Sequence, residues 1–282
     1  VTADYQPPPC GGFNGNDEEG EHAMKRREFL AASSLAAVAP LGSMASAAAK
    51  PAGPRQYLEL RHYELASAGK QKAFDAFLAE AAIPALNRLG VAPVGVFKMA
   101  EDEDQNLWVL LPHKSLESVA VANTKMLANT QYQQAGRAVL ECPKDNPAYQ
   151  RLTSRLLLGF DYCPRVEVPS KAATRVFQLR IYESHNTIKA KRKIEMFNEG
   201  GEIALFRETG LNPVFFGESL IGDKMPNLTY MVGFDDAEAQ KKAWSAFRDH
   251  PGWKELRSKP YYADTVSHIT NLVLRPTAAS QI

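Results

Sequence analysis

The sequence predicts an α+β fold: two tandem βαββαβ units whose four-stranded sheets face each other as an eight-stranded barrel, a pseudo-dimer within one chain. Three observations carry this. The chain repeats itself at a spacing of about 120 residues. Each copy passes between strand-like alternation and helix-like periodicity in the same order. A glycine, Gly90 or Gly210, stands where the first long helix of each copy must stop.

The repeat is read residue by residue. Tyr57-Leu-Glu-Leu-Arg-His-Tyr-Glu64 lies opposite Val176-Phe-Gln-Leu-Arg-Ile-Tyr-Glu183, with Leu, Arg, Tyr and Glu in common. Phe77, Ile83, Gly90, Pro93 and Val94 lie opposite Phe197, Ile203, Gly210, Pro213 and Val214 at a shift of 120. Asn106-Leu107 then answers Asn227-Leu228, and Tyr132 answers Trp253, at a shift of 121.

In order, the first strand of each copy covers 56–64 and 175–183, where residues alternate. A helix follows at 70–89 and 187–209, kinked by Pro84 in the first copy and weakened by Gly200-Gly201 in the second. Two strands come next, 93–99 with 106–112 and 213–220 with 227–234, joined by polar turns suited to hairpins. The second helix starts after Ser115 in one half and near Asp235 in the other, where Asp235 and Glu238 have capping-box spacing. Strands at 152–160 and 266–274 close each half.

Alternation along the first strands separates two faces. Leu58, Leu60 and His62, with Phe177, Leu179 and Ile181, form the more apolar set and are expected to face the helices. Tyr57, Glu59, Arg61 and Tyr63, with Val176, Gln178, Arg180 and Tyr182, are expected to line a semi-polar cavity between the two sheets.

The chain has 282 residues, with 33 Lys and Arg against 32 Asp and Glu. This balance excludes the electrostatic footprint of a nucleic-acid binder. Residues 1–49 read as a leader: a Pro, Gly and acid-rich stretch, then Met24-Lys25-Arg26-Arg27-Glu28-Phe29-Leu30 and an uncharged Ala/Ser-rich run. The adjacent arginines and the mildly apolar run resemble a twin-arginine export signal, cleaved after Ala47 or Ala49. The expected destination is the periplasm or the medium, with no stable membrane anchor after cleavage. The units are then 50–165 and 166–282, with 30 basic and 26 acidic residues after cleavage. Cys142 and Cys163 survive in that chain, either paired or as inert buried thiols.

Glu59-Leu-Arg-His-Tyr-Glu-Leu65, Gly69-Lys70 and Phe74, with Gln178-Leu-Arg-Ile-Tyr-Glu183 and Gly210-Leu-Asn-Pro213, resemble the NIPSNAP family of the dimeric α/β-barrel superfamily. The resemblance spans nearly all of 55–275. It implies paired ferredoxin-like units and ligand binding, and supplies no catalytic residues.

The candidate ligand contacts are Arg61, Tyr63, Arg180, Tyr182, Glu59 and Gln178. A mid-strand guanidinium can clamp a carboxylate or enolate, or it can be held by Glu59 or Glu64 as a structural ion pair. Tyr63 and Tyr182 can donate hydrogen bonds to a ligand or serve as packing. His62, His113, His185, His250 and His268 show no metal-ligand spacing, so no metal and no cofactor are expected. Haem, with His185 or His268 as axial ligand, is the alternative by analogy with relatives in the superfamily. Lys189, Lys191, Arg192 and Lys193 are read as a solvated helix face. Walker, dinucleotide and nucleophile-elbow motifs are absent from the sequence.

The resulting expectation is an exported NIPSNAP-type protein of undefined activity that binds a small organic ligand in the barrel between its two units. It would be a monomeric pseudo-dimer or a homodimer. The alternative is an oxidoreductase or monooxygenase using the same cavity. A third reading fills the barrel with side chains and gives the work to an outer face.

Overall fold

The computed structural model describes residues 53–101 and 104–282. The leader, the export signal and its cleavage site lie outside the described residues. Eight strands, β1 (Tyr57–Glu64), β2 (Gly95–Met99), β3 (Leu107–His113), β4 (Arg151–Gly159), β5 (Val176–Glu183), β6 (Asn212–Ile221), β7 (Asn227–Phe234) and β8 (His268–Pro276), close into a barrel. Their order is β1-β3-β2-β8-β5-β7-β6-β4, antiparallel throughout. Each half thus supplies four strands, and the halves join where β2 meets β8 and β4 meets β6.

Helices cover the outside. The first half carries α1 (Ala68–Phe77), α2 (Ile83–Arg88), α3 (Leu116–Leu127) and α4 (Thr130–Leu140). The second carries α5 (Thr187–Phe197), α6 (Glu202–Glu208), α7 (Ala237–Asp249) and α8 (Pro251–Ser258). A π-helical turn at Leu78–Ala82 joins α1 to α2, the Ile83 N–H reaching back to the Leu78 carbonyl just before Pro84, which has no N–H to give. Gly90 and Gly210 both adopt positive φ, +80° and +83°, as glycines that end a helix. Ser67, Ser115 and Asn186 cap their helices through side-chain oxygens. The cap of α7 is Asp236, which accepts from the Ala239 N–H, and not Asp235. Asp235 accepts instead from the Ser170 hydroxyl at 2.5 Å.

The alternation of β1 and β5 is as expected, but the faces are exchanged. Leu58, Leu60, Phe177 and Leu179 point into the barrel, where they pack with Phe97, Trp108, Leu110, Leu157, Phe215, Met231 and Leu274 from the other six strands. His62 lies against the Trp108 ring, centroids 4.3 Å apart. The outward set faces the helices: Tyr63 packs with α1 and α4, and Val176 with the helices of the second half. The physical reason is enclosure. The lumen of an eight-stranded barrel is surrounded by sheet on all sides and is narrow enough for side chains to fill, and here apolar side chains from all eight strands fill it. A helix layer covers its sheet incompletely and tolerates amphipathic groups at its margins. Where the sequence predicted a ligand cavity between the two sheets, the described residues form the central core.

Candidate functional site

The polar face of β5 lies under the helices of the second half, and there it opens to a cleft of about 680 Å³ lined by Gln178, Arg180 and Tyr182. The cleft owes its floor to strand alternation and its roof to a break in the helix above. Gly200 passes so close to Met196 that an added Cβ would lie 2.5 Å from the Met196 carbonyl oxygen, and Gly201 has φ +88°. This sharp reversal between α5 and α6 turns Glu202 inward, where it is 2% exposed.

Glu202 Oε2 accepts from Lys193 Nζ at 2.7 Å, and both side chains are almost fully buried. The Lys193 ammonium also sits 4.5 Å from the Phe197 ring centroid and 5.7 Å from that of Trp253. Burial raises the Glu202 carboxyl above the ordinary range, against the pull of Lys193. Lys193 is thus not part of a solvated face, in contrast to the expectation for the basic cluster on this helix. The remaining cluster members do point outward or sit half-exposed.

Gln178 organises the floor. Its Oε1 accepts from Gln240 at 3.1 Å and from the Trp244 indole, and its Nε2 donates to Asn271. Arg180, next on the same face, rests on Trp244 and Tyr182, with its guanidinium carbon 4.9 and 5.3 Å from their ring centroids. Its buried Nε has no hydrogen-bond partner, and no carboxylate among the described residues lies within ion-pair distance of it. Tyr182 Oη accepts from Tyr230 Oη at 3.0 Å. Burial raises both hydroxyls above the ordinary tyrosine value. Lys241 and Arg248 add positive charge at the rim, and Phe206, Phe247 and Trp253 supply aromatic walls.

The first half treats the equivalent residues differently. Glu59 holds Arg61 through two hydrogen bonds, 2.7 and 2.9 Å, and accepts from Ser154 at 2.8 Å. His113, fully buried, lies 3.7 Å from Glu59 and 3.0 Å from the Ser118 hydroxyl. Burial alone would raise the Glu59 carboxyl, but His113, Arg61 and Ser154 together hold it down at about 2. Tyr63 is packed against Phe74 and Tyr149 at 4.6 and 5.2 Å. Of the six candidate contacts, the structure therefore brings Gln178, Arg180 and Tyr182 to one cleft and places Glu59, Arg61 and Tyr63 in a separate cluster, in which Glu59 pairs with Arg61.

Lys193, Glu202, Trp244, Tyr230 and Gln240 are the residues that sequence reasoning missed. The signal was available in the repeat. At the shift of 120, Lys193 and Glu202 stand opposite Ala73 and Ala82, and Gln178 would stand one position from a 120 shift, opposite Glu59 in the strand match. The cleft lies where the two copies differ, whereas shared positions such as Phe77 and Phe197 serve packing.

No imidazole lines this cleft; His185 and His268 are both exposed on the surface. The two histidines expected as axial ligands of haem therefore do not face this cleft. Among the described residues no group of three His, Cys, Asp or Glu is placed to hold a metal ion. Cys142 and Cys163 are free thiols, and no helix among the described residues is long and apolar enough to cross a membrane.

Residues 177–281, the second half that holds the cleft, match the NIPSNAP family. No curated protein matches the chain. Among solved structures, a "putative monooxygenase" from Lactobacillus acidophilus superposes with a TM-score of 0.53 at 9% identity, covering 79% of this chain and 94% of that one. Another from Fusobacterium nucleatum gives 0.51 at 9% identity, covering 79% and 93%. A NIPSNAP-like domain protein from Burkholderia xenovorans is 20% identical over 39% of this chain and 90% of its own, with a TM-score of 0.35. The first two show a shared fold.

Proposed function

We propose that the chain is an exported protein of two NIPSNAP-type, ferredoxin-like units, and that its second unit binds a small organic anion with an aromatic or planar body. The observation that carries this is Arg180: a mid-strand guanidinium, stacked on Trp244 and Tyr182, with a buried Nε that no described residue satisfies. Arg180 is half-buried and the Glu202 carboxylate acts on it only from beyond ion-pair distance, so an anionic ligand supplies the direct counter-ion and the partner for Nε. The aromatic walls and a volume of about 680 Å³ suit a ligand of one or two rings.

Trp244 and Trp253 in the cleft report on binding through their fluorescence. Titration with benzoate, phenylacetate and benzoylformate is expected to give saturable quenching that Arg180→Gln weakens at least about tenfold. Benzyl alcohol, which keeps the ring without the charge, is expected to give none. Equal quenching by the alcohol and the acids would overturn the reading.

A second reading is oxidation of such a ligand by dioxygen, supported by the fold shared with the two proteins described as monooxygenases. Its test is oxygen uptake that depends on a ligand found to quench the tryptophans.

A further inference from the structure

One row of side chains on α7 runs along the cleft. Gln240, Trp244 and Arg248 stand four residues apart on that helix, so they share one face, and all three line the cleft. The first two are pinned to β5: Gln240 and the Trp244 indole both donate to Gln178 Oε1, and the Trp244 ring lies against Arg180, 4.9 Å from centroid to guanidinium carbon. These contacts fix the direction of the row. Arg248 comes one turn beyond Trp244, about 6 Å along the helix.

The charges of the cleft do not balance. Its lining holds four cations, Arg180, Lys193, Lys241 and Arg248, against one acid, Glu202. Lys193 takes Glu202 at 2.7 Å, and Lys241 pairs with Glu238 outside the lining, also at 2.7 Å. Arg180 and Arg248 remain, neither with a carboxylate within ion-pair distance among the described residues. Arg180 is half-buried on the floor and Arg248 is exposed at the rim. Two unneutralised guanidinium groups at different depths of one cleft repel each other, and a ligand with two negative charges relieves both.

We infer that the ligand is a dianion: an aromatic dicarboxylate with its acid groups at opposite ends of the ring, one on Arg180 and the other on Arg248. The inference rests on the binding reading above and deepens it by fixing the number and placement of the ligand's charges. A guanidinium fork takes a carboxylate through parallel N–H donors, and each end of the ligand meets one such fork. Carboxylates placed para on a ring stand roughly 5–6 Å apart, close to the rise of one helical turn. Between them the ring has Trp244 in the row, with Phe247 and Trp253 as walls. The second carboxylate stays at the rim, so it gains a counter-ion without full loss of water. Arg248 is thereby the residue that separates a di-acid from a mono-acid.

The test titrates tryptophan fluorescence with terephthalate and with its monomethyl ester, which keeps the ring and one carboxylate but lacks the second charge. Wild-type protein is expected to bind terephthalate at least about tenfold more tightly than the ester, with the ratio falling at high salt because Arg248 is exposed. Arg248→Gln is expected to reduce the ratio below about threefold, and Arg248→Lys, which keeps the charge, to retain most of it. Substitution at this exposed position leaves the fold in place. Phthalate, with adjacent carboxylates, is expected to bind no better than the ester. Saturable quenching with equal affinity for terephthalate and ester would overturn the dianion and leave anion binding standing. A preference that persists in Arg248→Gln, or phthalate binding as tightly as terephthalate, would overturn the end-to-end placement. Absence of quenching by benzoate and by terephthalate would overturn both readings.

Discussion

Arg61 and Arg180 hold the same place on the first strand of each half, yet Glu59 clamps Arg61 through two hydrogen bonds while Arg180 has no carboxylate partner among the described residues. The difference is one side chain: Glu59 in the first half is Gln178 in the second, a neutral amide that turns instead to Gln240, Trp244 and Asn271. One arginine is thereby a structural ion pair and the other an open cation.

Gln178→Glu is expected to convert the second arrangement into the first. The new carboxylate still accepts from Gln240 and Trp244, so the fold is kept, but it neutralises Arg180. Affinity for benzoate-type anions falls at least about tenfold, measured by tryptophan fluorescence. Unchanged affinity would show that Arg180 does not set the charge of the ligand.

Glu59→Gln makes the reverse change and leaves Arg61 without its carboxylate. With side-chain exposures of 12% for Glu59 and 27% for Arg61, the loss is expected to be about 2 kcal/mol, below the 3–5 kcal/mol of a wholly buried pair. Urea unfolding at pH 7 measures it, and an effect below about 0.5 kcal/mol would mark the pair as dispensable.

Acid should remove the same stabilisation. The Glu59 carboxyl is held at about 2 in the folded chain against an ordinary value of 4.5. Its folded value is depressed, so its contribution is complete above pH 4.5 and is lost as the pH falls towards 2. The span corresponds to at most about 3 kcal/mol. Glu202, whose carboxyl is raised, acts with the opposite sign, so the comparison is made between wild type and Glu59→Gln. Their stability gap is expected to shrink as the pH falls below 4.5, and a constant gap from pH 6 to 3 would contradict the assignment.

The lumen is core and not cavity. Phe177→Ala, which empties space beside Phe97, 5.0 Å away between centroids, is expected to cost about 3–5 kcal/mol while leaving benzoylformate affinity unchanged once the protein is folded. Lost affinity in a folded Phe177→Ala protein would place the ligand inside the barrel after all.

The two thiols should differ in reactivity. Cys163 is 1% exposed and burial drives its thiol far above the ordinary value, whereas Cys142 is partly exposed beside α4. In the chain lacking residues 1–49, and with them Cys10, a thiol reagent under native conditions is expected to modify one cysteine quickly, and Cys142→Ser to abolish that fast phase. In denaturant both react.

Much of this molecule was legible in its sequence. The repeat, the order of strands and helices, the glycine stops at Gly90 and Gly210 and the helix break at Gly200-Gly201 all follow from local preference and periodicity, which act between residues close in the chain. Alternation also separated Gln178, Arg180 and Tyr182 from Phe177 and Leu179. Which of those faces turned inward was decided by closure: in this barrel the eight strands bring their driest faces together in one lumen, and no single strand carries that information. Closure and the α5–α6 reversal likewise brought Lys193 and Glu202 over Tyr182, contacts made through space between residues whose neighbours in sequence give no sign of them.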